Sequence, residues 1–290
     1  MTSRAQITEI TVPTAGYATH AFRAGVGNDD AVLLLHGGGP GAQAWSNWQP
    51  ALTLLGDRFD VVAPDLVGFG TTDHPDPPPY GPRLWLQARC EQLAGLLDEL
   101  DIACADLVGN SLGGALALHM AILHPERVRR IVLMGSGGAP FVPGPELRRM
   151  LGFYEDPTAD NLRAILRNLV FDVEAFGDLD ALVDARVDVA TAPDAQRSFH
   201  AMFTTPDGRP IGEIALAEDA VRSITQPALV VHGREDRIVP VECGQWLFER
   251  LQDAELHLFS RCGHWAMLEH PAAFARVVSE FLLRRVEVAA

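Results

Sequence analysis

The sequence predicts an α/β protein built on a doubly wound, mostly parallel sheet, with a helical segment inserted into it. Three observations carry this. Short unbroken apolar runs, the mark of strands buried on both faces, take turns with helix-forming stretches. That rhythm stops after Gly135, gives way to helical patterns alone, and resumes at Ala228. Finally, Leu107 to Gly114 reads Leu-Val-Gly-Asn-Ser-Leu-Gly-Gly, a serine set between a strand run and a helix. One core in two parts is expected, residues 1–136 and 223–290, with residues 137–222 as a helical lid.

Taken in order, Ile7 to Val12 and Ala18 to Ala24 read as two strands at a sheet edge. Ala31 to Leu35 is wholly apolar and runs into His36-Gly37-Gly38-Gly39-Pro40-Gly41-Ala42. Glycines directly after a buried strand let the backbone approach a ligand and leave N–H groups free. Trp45 to Leu55 suits a short helix and Phe59 to Ala63 the next strand. A Pro-rich connection then leads to a helix over Leu84 to Leu100, with Leu86, Leu93, Leu96, Leu97 and Leu100 on one stripe. Ala105 to Val108 is the strand before the serine, the stretch from Ala115 to Ile122 the helix after it, and Arg130 to Met134 a further strand.

Gly135 to Pro145, rich in Gly and Pro, reads as a hinge. In the lid, Asp156-Pro157-Thr158 starts a helix on which Leu162, Ile165, Leu166 and Leu169 keep i, i+3, i+4, i+7 spacing. Strand Ala228 to Val231, a helix around Gly244 to Leu251, strand Ala254 to Phe259 and helix Ala272 to Leu283 complete the core.

Composition narrows the function. No apolar run approaches the roughly 20 residues of a membrane-spanning helix. The start, Met-Thr-Ser-Arg-Ala-Gln-Ile, lacks the apolar core of a signal peptide, so a cytoplasmic protein is expected. Cys90, Cys104, Cys243 and Cys262 have no C-x-x-C spacing, which argues against a zinc site or a disulfide framework. A formal net charge of −15, with basic residues only in short pairs such as Arg129-Arg130, Arg148-Arg149 and Arg284-Arg285, argues against nucleic acid. An anionic substrate would need a local cation working against that field.

Gly109-Asn110-Ser111-Leu112-Gly113 fits the G-x-S-x-G nucleophile elbow, a tight turn that lifts a serine hydroxyl above the sheet. The strand before it and the helix after it are the context the motif requires. The helix N-terminus also points its free N–H groups at the site, where they stabilise developing negative charge. A serine nucleophile needs a base, and the base an orienting carboxylate, in the chain order Ser, Asp or Glu, His. Asp236 follows the strand ending at His232, and His264 follows the strand ending near Phe259. Both sit where such sheets place their sites, at the carboxyl ends of strands. Glu235 is the rival acid and His270 the rival base, although Glu269-His270-Pro271 looks like the start of the last helix. His36 reads as a loop-fixing residue and Asp65 as a turn cap. On this reading Ser111 is the nucleophile, His264 the base and Asp236 its orienter, with the backbone N–H groups of Leu112 and Gly38 as the oxyanion hole.

The stretches 36–42, Trp45-Ser46-Asn47, 109–114 and Cys262-Gly263-His264-Trp265-Ala266, followed by Glu269-His270, together resemble the meta-cleavage product hydrolases. These are enzymes of the α/β-hydrolase fold that cut a carbon–carbon bond in the dienoates formed by extradiol opening of catechols. The resemblance covers nearly the whole core and is weakest in the lid. It implies a 2-hydroxy-6-oxo-2,4-dienoate substrate, tautomerised first and then cleaved between C5 and C6. It implies a lid arginine for the substrate carboxylate, a position that Arg186 matches. Leu182, Arg186 and Val189 share one helical stripe, so this arginine would lie on an apolar face; the bland alternative is a snorkelling surface residue.

Asn47 and Asn110 are similar to the family's polar contacts to the dienoate end, where an amide can donate to carboxylate or enolate oxygens. Trp265 looks like its pocket-wall tryptophan, and Gly37 and Gly39 belong to its glycine loop. Leu112 departs from the methionine or phenylalanine often seen after the nucleophile, and Ala266-Met267-Leu268 is more aliphatic than in many relatives. The Arg-Glu-Asp loop (234–236) and Ala-Met-Phe (201–203) lean toward substrates with hydrogen or a small alkyl group at C6; a 6-phenyl dienoate is the alternative. The resemblance implies no metal or organic cofactor, no membrane partner, and a homo-oligomer. A carboxylesterase on the same scaffold and a non-catalytic ligand receptor are the competing functions, and Arg186 with the two asparagines discriminates against the first.

Overall fold

The computed structural model describes residues 5–203 and 214–284. Among these, eight strands form the spine: β1 (Ile7–Thr14), β2 (Tyr17–Ala24), β3 (Ala31–Leu35), β4 (Asp60–Pro64), β5 (Ala105–Asn110), β6 (Val128–Met134), β7 (Ala228–Gly233) and β8 (Ala254–Phe259). They lie in the order β1-β2-β4-β3-β5-β6-β7-β8. β1 and β2 make an antiparallel hairpin at one edge, β2 meets β4 antiparallel, and every later pairing is parallel. β3, β4, β5 and β7 are buried along their whole length, which requires helices on both faces of the sheet.

The described helices are α1 (Ala44–Leu55), α2 (Pro82–Glu99), α3 (Leu112–Leu123), α4 (Pro145–Leu151), α5 (Ala159–Arg167), α6 (Val173–Phe176), α7 (Leu179–Thr191), α8 (Pro193–Phe203), α9 (Glu218–Arg222), α10 (Val241–Phe248), α11 (Ala266–Glu269) and α12 (Pro271–Leu282). α1 packs with α11 and α12, and α2 with α3. None is long and apolar enough to cross a membrane. α10 begins three residues before the expected Gly244, directly after Pro240, whose missing N–H suits the boundary.

α4 to α9 form the inserted helical region between β6 and β7, with no strand among its described residues. Residues 204–213 of the expected lid lie outside the described residues. Thr158 caps α5, its hydroxyl accepting from Asn161 N at 3.2 Å, and Asp178 caps α7 by accepting from Ala181 N at 2.9 Å.

The insertion is stitched to the core beside His264. His264 N donates to Leu169 O at 2.7 Å. The Glu269 carboxylate accepts from Phe171 N at 2.6 Å and from Gly263 N at 2.8 Å. Gly263 permits this approach, because a Cβ there would stand 2.7 Å from Leu169 O.

Candidate active site

The serine is raised by backbone strain. Ser111 has φ 55° and ψ −112°, a left-handed conformation that non-glycine residues avoid. The elbow closes because α3 starts hard against β3: a Cβ on Gly113 would lie 2.1 Å from Leu35 O. Ser111 N donates to Met134 O at 3.0 Å, and Ser111 O accepts from Gly114, Ala115 and Gly137, so the turn is bonded on both sides. Leu112 opens α3, where a helix leaves its first N–H groups without intrahelical partners. Gly38 lies beside it, since a Cβ on Gly38 would come within 2.8 Å of the Leu112 side chain. Gly37 faces the other flank, 3.0 Å from Asn110 Oδ1 by the same construction.

Asp236 and His264 meet as one unit. His264 Nδ1–H donates to Asp236 Oδ2 at 2.7 Å, leaving Nε2 as the free acceptor. Asp236 Oδ1 accepts from Ile238 N at 2.8 Å and Val239 N at 3.0 Å. Burial alone would raise the pKa of this carboxyl, yet the His264 charge and the histidine hydrogen bonds hold it well below the usual carboxylate range. Ser111 and His264 line the same cleft. The rivals are engaged elsewhere. Glu235 pairs with Arg234 at 2.7 Å and accepts from Cys262 N, while His270 bonds Arg261 O and stacks on Phe259. His36 fixes its loop, Nδ1–H donating to Gly37 O at 2.8 Å and Nε2 accepting from Leu66 N at 3.0 Å. Burial pushes its pKa down to about 4. Asp65 caps α1, accepting from Ala44 N at 2.6 Å, and also pairs with His20 at 3.0 Å.

Arg186 is 1% exposed, which removes the snorkelling alternative. The buried stripe of α7 runs through Leu179, Val183, Arg186 and Ala190, one step round the helix from the expected Leu182 and Val189. Its guanidinium donates to Asn47 Oδ1 at 2.6 Å and to Ser46 Oγ at 3.1 Å, and lies 4.9 Å from the Trp265 ring centroid. Among the described residues no Asp or Glu pairs with it. Desolvation lowers its pKa to about 9, so the charge persists at neutral pH and gains most from an incoming anion. Asn47 uses its oxygen on Arg186 and keeps its amide N–H groups to offer. Asn110 differs from the expectation of a donor: its amide nitrogen is spent on Met134 O and His264 O, at 3.1 and 3.4 Å, and its Oδ1 has no partner. As placed it presents an acceptor.

Two cavities meet at Gly38, Ser111 and Met150. The narrow one, about 20 Å³, holds Arg186, Asn47, Asn110, His264, Trp265 and Gly39. The other, about 340 Å³, is walled by Leu112, Phe141, Leu147, Leu151, Ile238 and Val239 among others, with no charged side chain in its described lining. Sequence reasoning missed Ser46, although its neighbour Asn47 was singled out, and missed this apolar wall. The Gly/Pro-rich 135–145 segment signalled a hinge, while its role as lining depends on how the insertion folds back.

A strained serine on a strand–helix elbow, beside a histidine bonded to a buried carboxylate, defines a serine hydrolase of the α/β class. Comparison with known proteins agrees: the alpha/beta hydrolase family model matches residues 32–277. The chain is 40% identical to the 2-hydroxymuconate semialdehyde hydrolase of Pseudomonas sp. strain CF600 over 268 residues, 92% of this chain and 91% of that protein. It is 38% identical to the 2-hydroxy-6-oxo-2,4-heptadienoate hydrolase of Pseudomonas putida over 271 residues, 93% of this chain and 95% of that one. The solved 2-hydroxy-6-oxo-6-phenylhexa-2,4-dienoate hydrolase of Rhodococcus sp. strain RHA1 superposes with a TM-score of 0.92 at 38% identity, covering 97% of this chain and 100% of that one. The chain belongs to the meta-cleavage product hydrolases of the α/β-hydrolase superfamily, and is a carbon–carbon bond hydrolase.

Proposed function

We propose that this chain cleaves the C5–C6 bond of a 2-hydroxy-6-oxo-2,4-dienoate bearing hydrogen or a small alkyl group at C6, releasing 2-hydroxypenta-2,4-dienoate and a carboxylic acid. The observation that carries the reading is the division of the pocket at Ser111. On one side stands a buried cation with no acidic partner among the described residues, on the other a cavity whose described lining is apolar and uncharged. The substrate has the matching polarity, a carboxylate and enol at one end and an apolar substituent at the other.

Arg186 and the Asn47 amide receive the carboxylate, which brings the C6 carbonyl to Ser111. Moving the enol proton from the 2-hydroxyl to C5 gives the keto form. His264, oriented by Asp236, takes a proton from Ser111 Oγ or from a water beside it, and the resulting nucleophile adds to C6. The N–H groups of Leu112 and Gly38 stabilise the oxyanion. Breaking C5–C6 sends the bonding pair through the conjugated chain to the C2 carbonyl oxygen, which regains a proton as the enol. If Ser111 is the nucleophile, a water deprotonated by His264 then hydrolyses the seryl ester to the acid and restores the serine; if water is, the gem-diol collapses to the acid directly.

Two curated relatives named for small C6 groups support that substituent. The cavity volume of about 340 Å³ favours a second reading, a 6-phenyl dienoate, because a methyl group would leave most of it empty. The test follows loss of dienolate absorbance for substrates with hydrogen, methyl, isopropyl and phenyl at C6, beside a p-nitrophenyl ester. Serine-dependent bleaching fastest with hydrogen or methyl supports the proposal, and fastest with phenyl selects the second reading. Turnover of the ester alone, unaffected by Arg186→Ala, overturns both.

A further inference from the structure

A second histidine reaches the carboxylate that His264 uses. His232, the next-to-last residue of β7, is wholly buried and points Nε2 at Val239 O, 2.9 Å away, and at Asp236 Oδ2, 3.4 Å away. A carbonyl oxygen only accepts, so Nε2 carries a proton whatever the ring's charge. Its Nδ1 has no hydrogen-bond partner and faces α10, where a Cβ on Gly244 would stand 2.6 Å away. The ring is thus clamped flat against helix backbone, with its directed N–H aimed at the Asp236 turn. The proposed chemistry makes no use of it.

We infer that His232 is a positioning residue for the reaction, whose Nε2–H ties the Asp236 turn shut at Val239 and stands within ion-pair distance of the Oδ2 that His264 uses. The inference rests on the triad reading above. Asp236 Oδ1 is already occupied by two backbone N–H groups, so Oδ2 alone accepts from His264 and faces the His232 ring at 3.4 Å. A proton-bearing ring at ion-pair distance from a carboxylate stabilises its anion and lowers its pull on any other proton. With His232 in place, Asp236 orients His264 without holding it protonated; with the donor removed, the pull on His264 strengthens and the base idles to higher pH. The other titratable groups around Asp236 are Cys243 and Glu242 on α10, and Cys262 and Glu235 on the flanking loops. Burial raises both thiols, Cys243 to about 12, so they stay neutral, and Glu235 is shifted down and stays ionised. Neither thiol nor Glu235 changes charge near neutral pH; His232 itself, against desolvation, is held above the ordinary histidine value by Asp236.

Val239 and Ile238 also wall the apolar cavity, so a merely structural His232 would change KM and the preference at C6. The test measures pH profiles of kcat and kcat/KM on a dienoate for wild type, His232→Leu, His232→Gln and Asp236→Asn. The inference expects the acid limb of kcat/KM in His232→Leu to move up by about half a pH unit with KM within about twofold, and His232→Gln, which keeps a donor near Nε2, to stay close to wild type. An unmoved limb in the Leu variant, or equal effects of Leu and Gln, overturns it. Asp236→Asn separates the layers: if it keeps full activity the triad reading falls, whereas its collapse beside a wild-type profile for His232→Leu sinks only the role of His232. Should His232→Leu not fold, ¹⁵N-histidine spectra decide. An Nε2-protonated His232 whose signal moves in Asp236→Asn supports the contact, and an Nδ1-protonated or unmoved ring overturns it.

Discussion

Arg186 Nη2 donates to Asn47 Oδ1 at 2.6 Å, so a helix of the insertion and the first helix of the core meet at one buried cation. The contact orders two segments far apart in sequence around a charge that has no counter-ion among the described residues. Arg186→Ala is expected to raise KM for the dienoate by about 10- to 100-fold, the worth of a desolvated charged hydrogen bond, with a smaller loss in kcat. Arg186→Lys should not restore affinity, because an ammonium cannot span Ser46, Asn47 and a carboxylate from one planar fork. Steady-state kinetics on the preferred dienoate check both.

With no charged side chain in its described lining, the large cavity should refuse charge. A dienoate whose C6 chain ends in a carboxylate is expected to show kcat/KM at least about 100-fold below its alkyl counterpart, since an unpaired buried anion costs several kcal/mol. Placing a cation in the wall by Leu151→Arg should narrow that gap. Competition between the two substrates in one cuvette gives the ratio directly.

His36 makes stability depend on pH. Its folded pKa of about 4 lies below the ordinary histidine value, so between them the unfolded chain binds a proton that the folded one does not. Its contribution is therefore fully present above about pH 6.5 and declines as pH falls toward 4, by about 3 kcal/mol at most. Urea unfolding at pH 7.5 and pH 5 should show a steeper loss in wild type than in His36→Gln. Equal slopes would contradict this account.

Gly263→Ala should loosen the seam between insertion and base. The new methyl would meet Leu169 O, Val170 C and Phe171 N, all backbone, which cannot rotate away. A loss of about 1–3 kcal/mol is expected, with a fall in kcat as the His264–Leu169 bond lengthens. Thermal unfolding and turnover of the same preparation measure both.

Most of the core was legible in the sequence because its strands are buried on both faces and read as unbroken apolar runs, as at Leu33 to Leu35. Ser111 and Asp236 were legible as candidates because each follows such a run, whereas the strand before His264, Ala254–Phe259, is only partly buried and includes Glu255 and His257. Arg186 could be placed on a helix from periodicity, but its phase was off by one position, since a 13-residue helix fixes its rotation only by what it packs on. The Asn110 orientation depends on Met134 and His264, partners 24 and 154 residues away, which no local pattern encodes. The engagement of His232 with Asp236 was hidden for a different reason. A histidine ending an apolar strand looks the same in sequence whether it bonds backbone or a functional carboxylate.

The split of the pocket at Ser111 also bears on what happens after bond cleavage. On the proposed reaction, the dienoate fragment would keep its carboxylate beside Arg186, where it remains a good ligand. The acid fragment is created as a new anion against Leu112, Ile238 and Val239, with no cation in the described lining to receive it. Chemistry thus turns a well-matched occupant of that chamber into a mismatched one, and the chamber is self-clearing. The acid should leave first and inhibit weakly, and the dienoate should leave last and compete with fresh substrate.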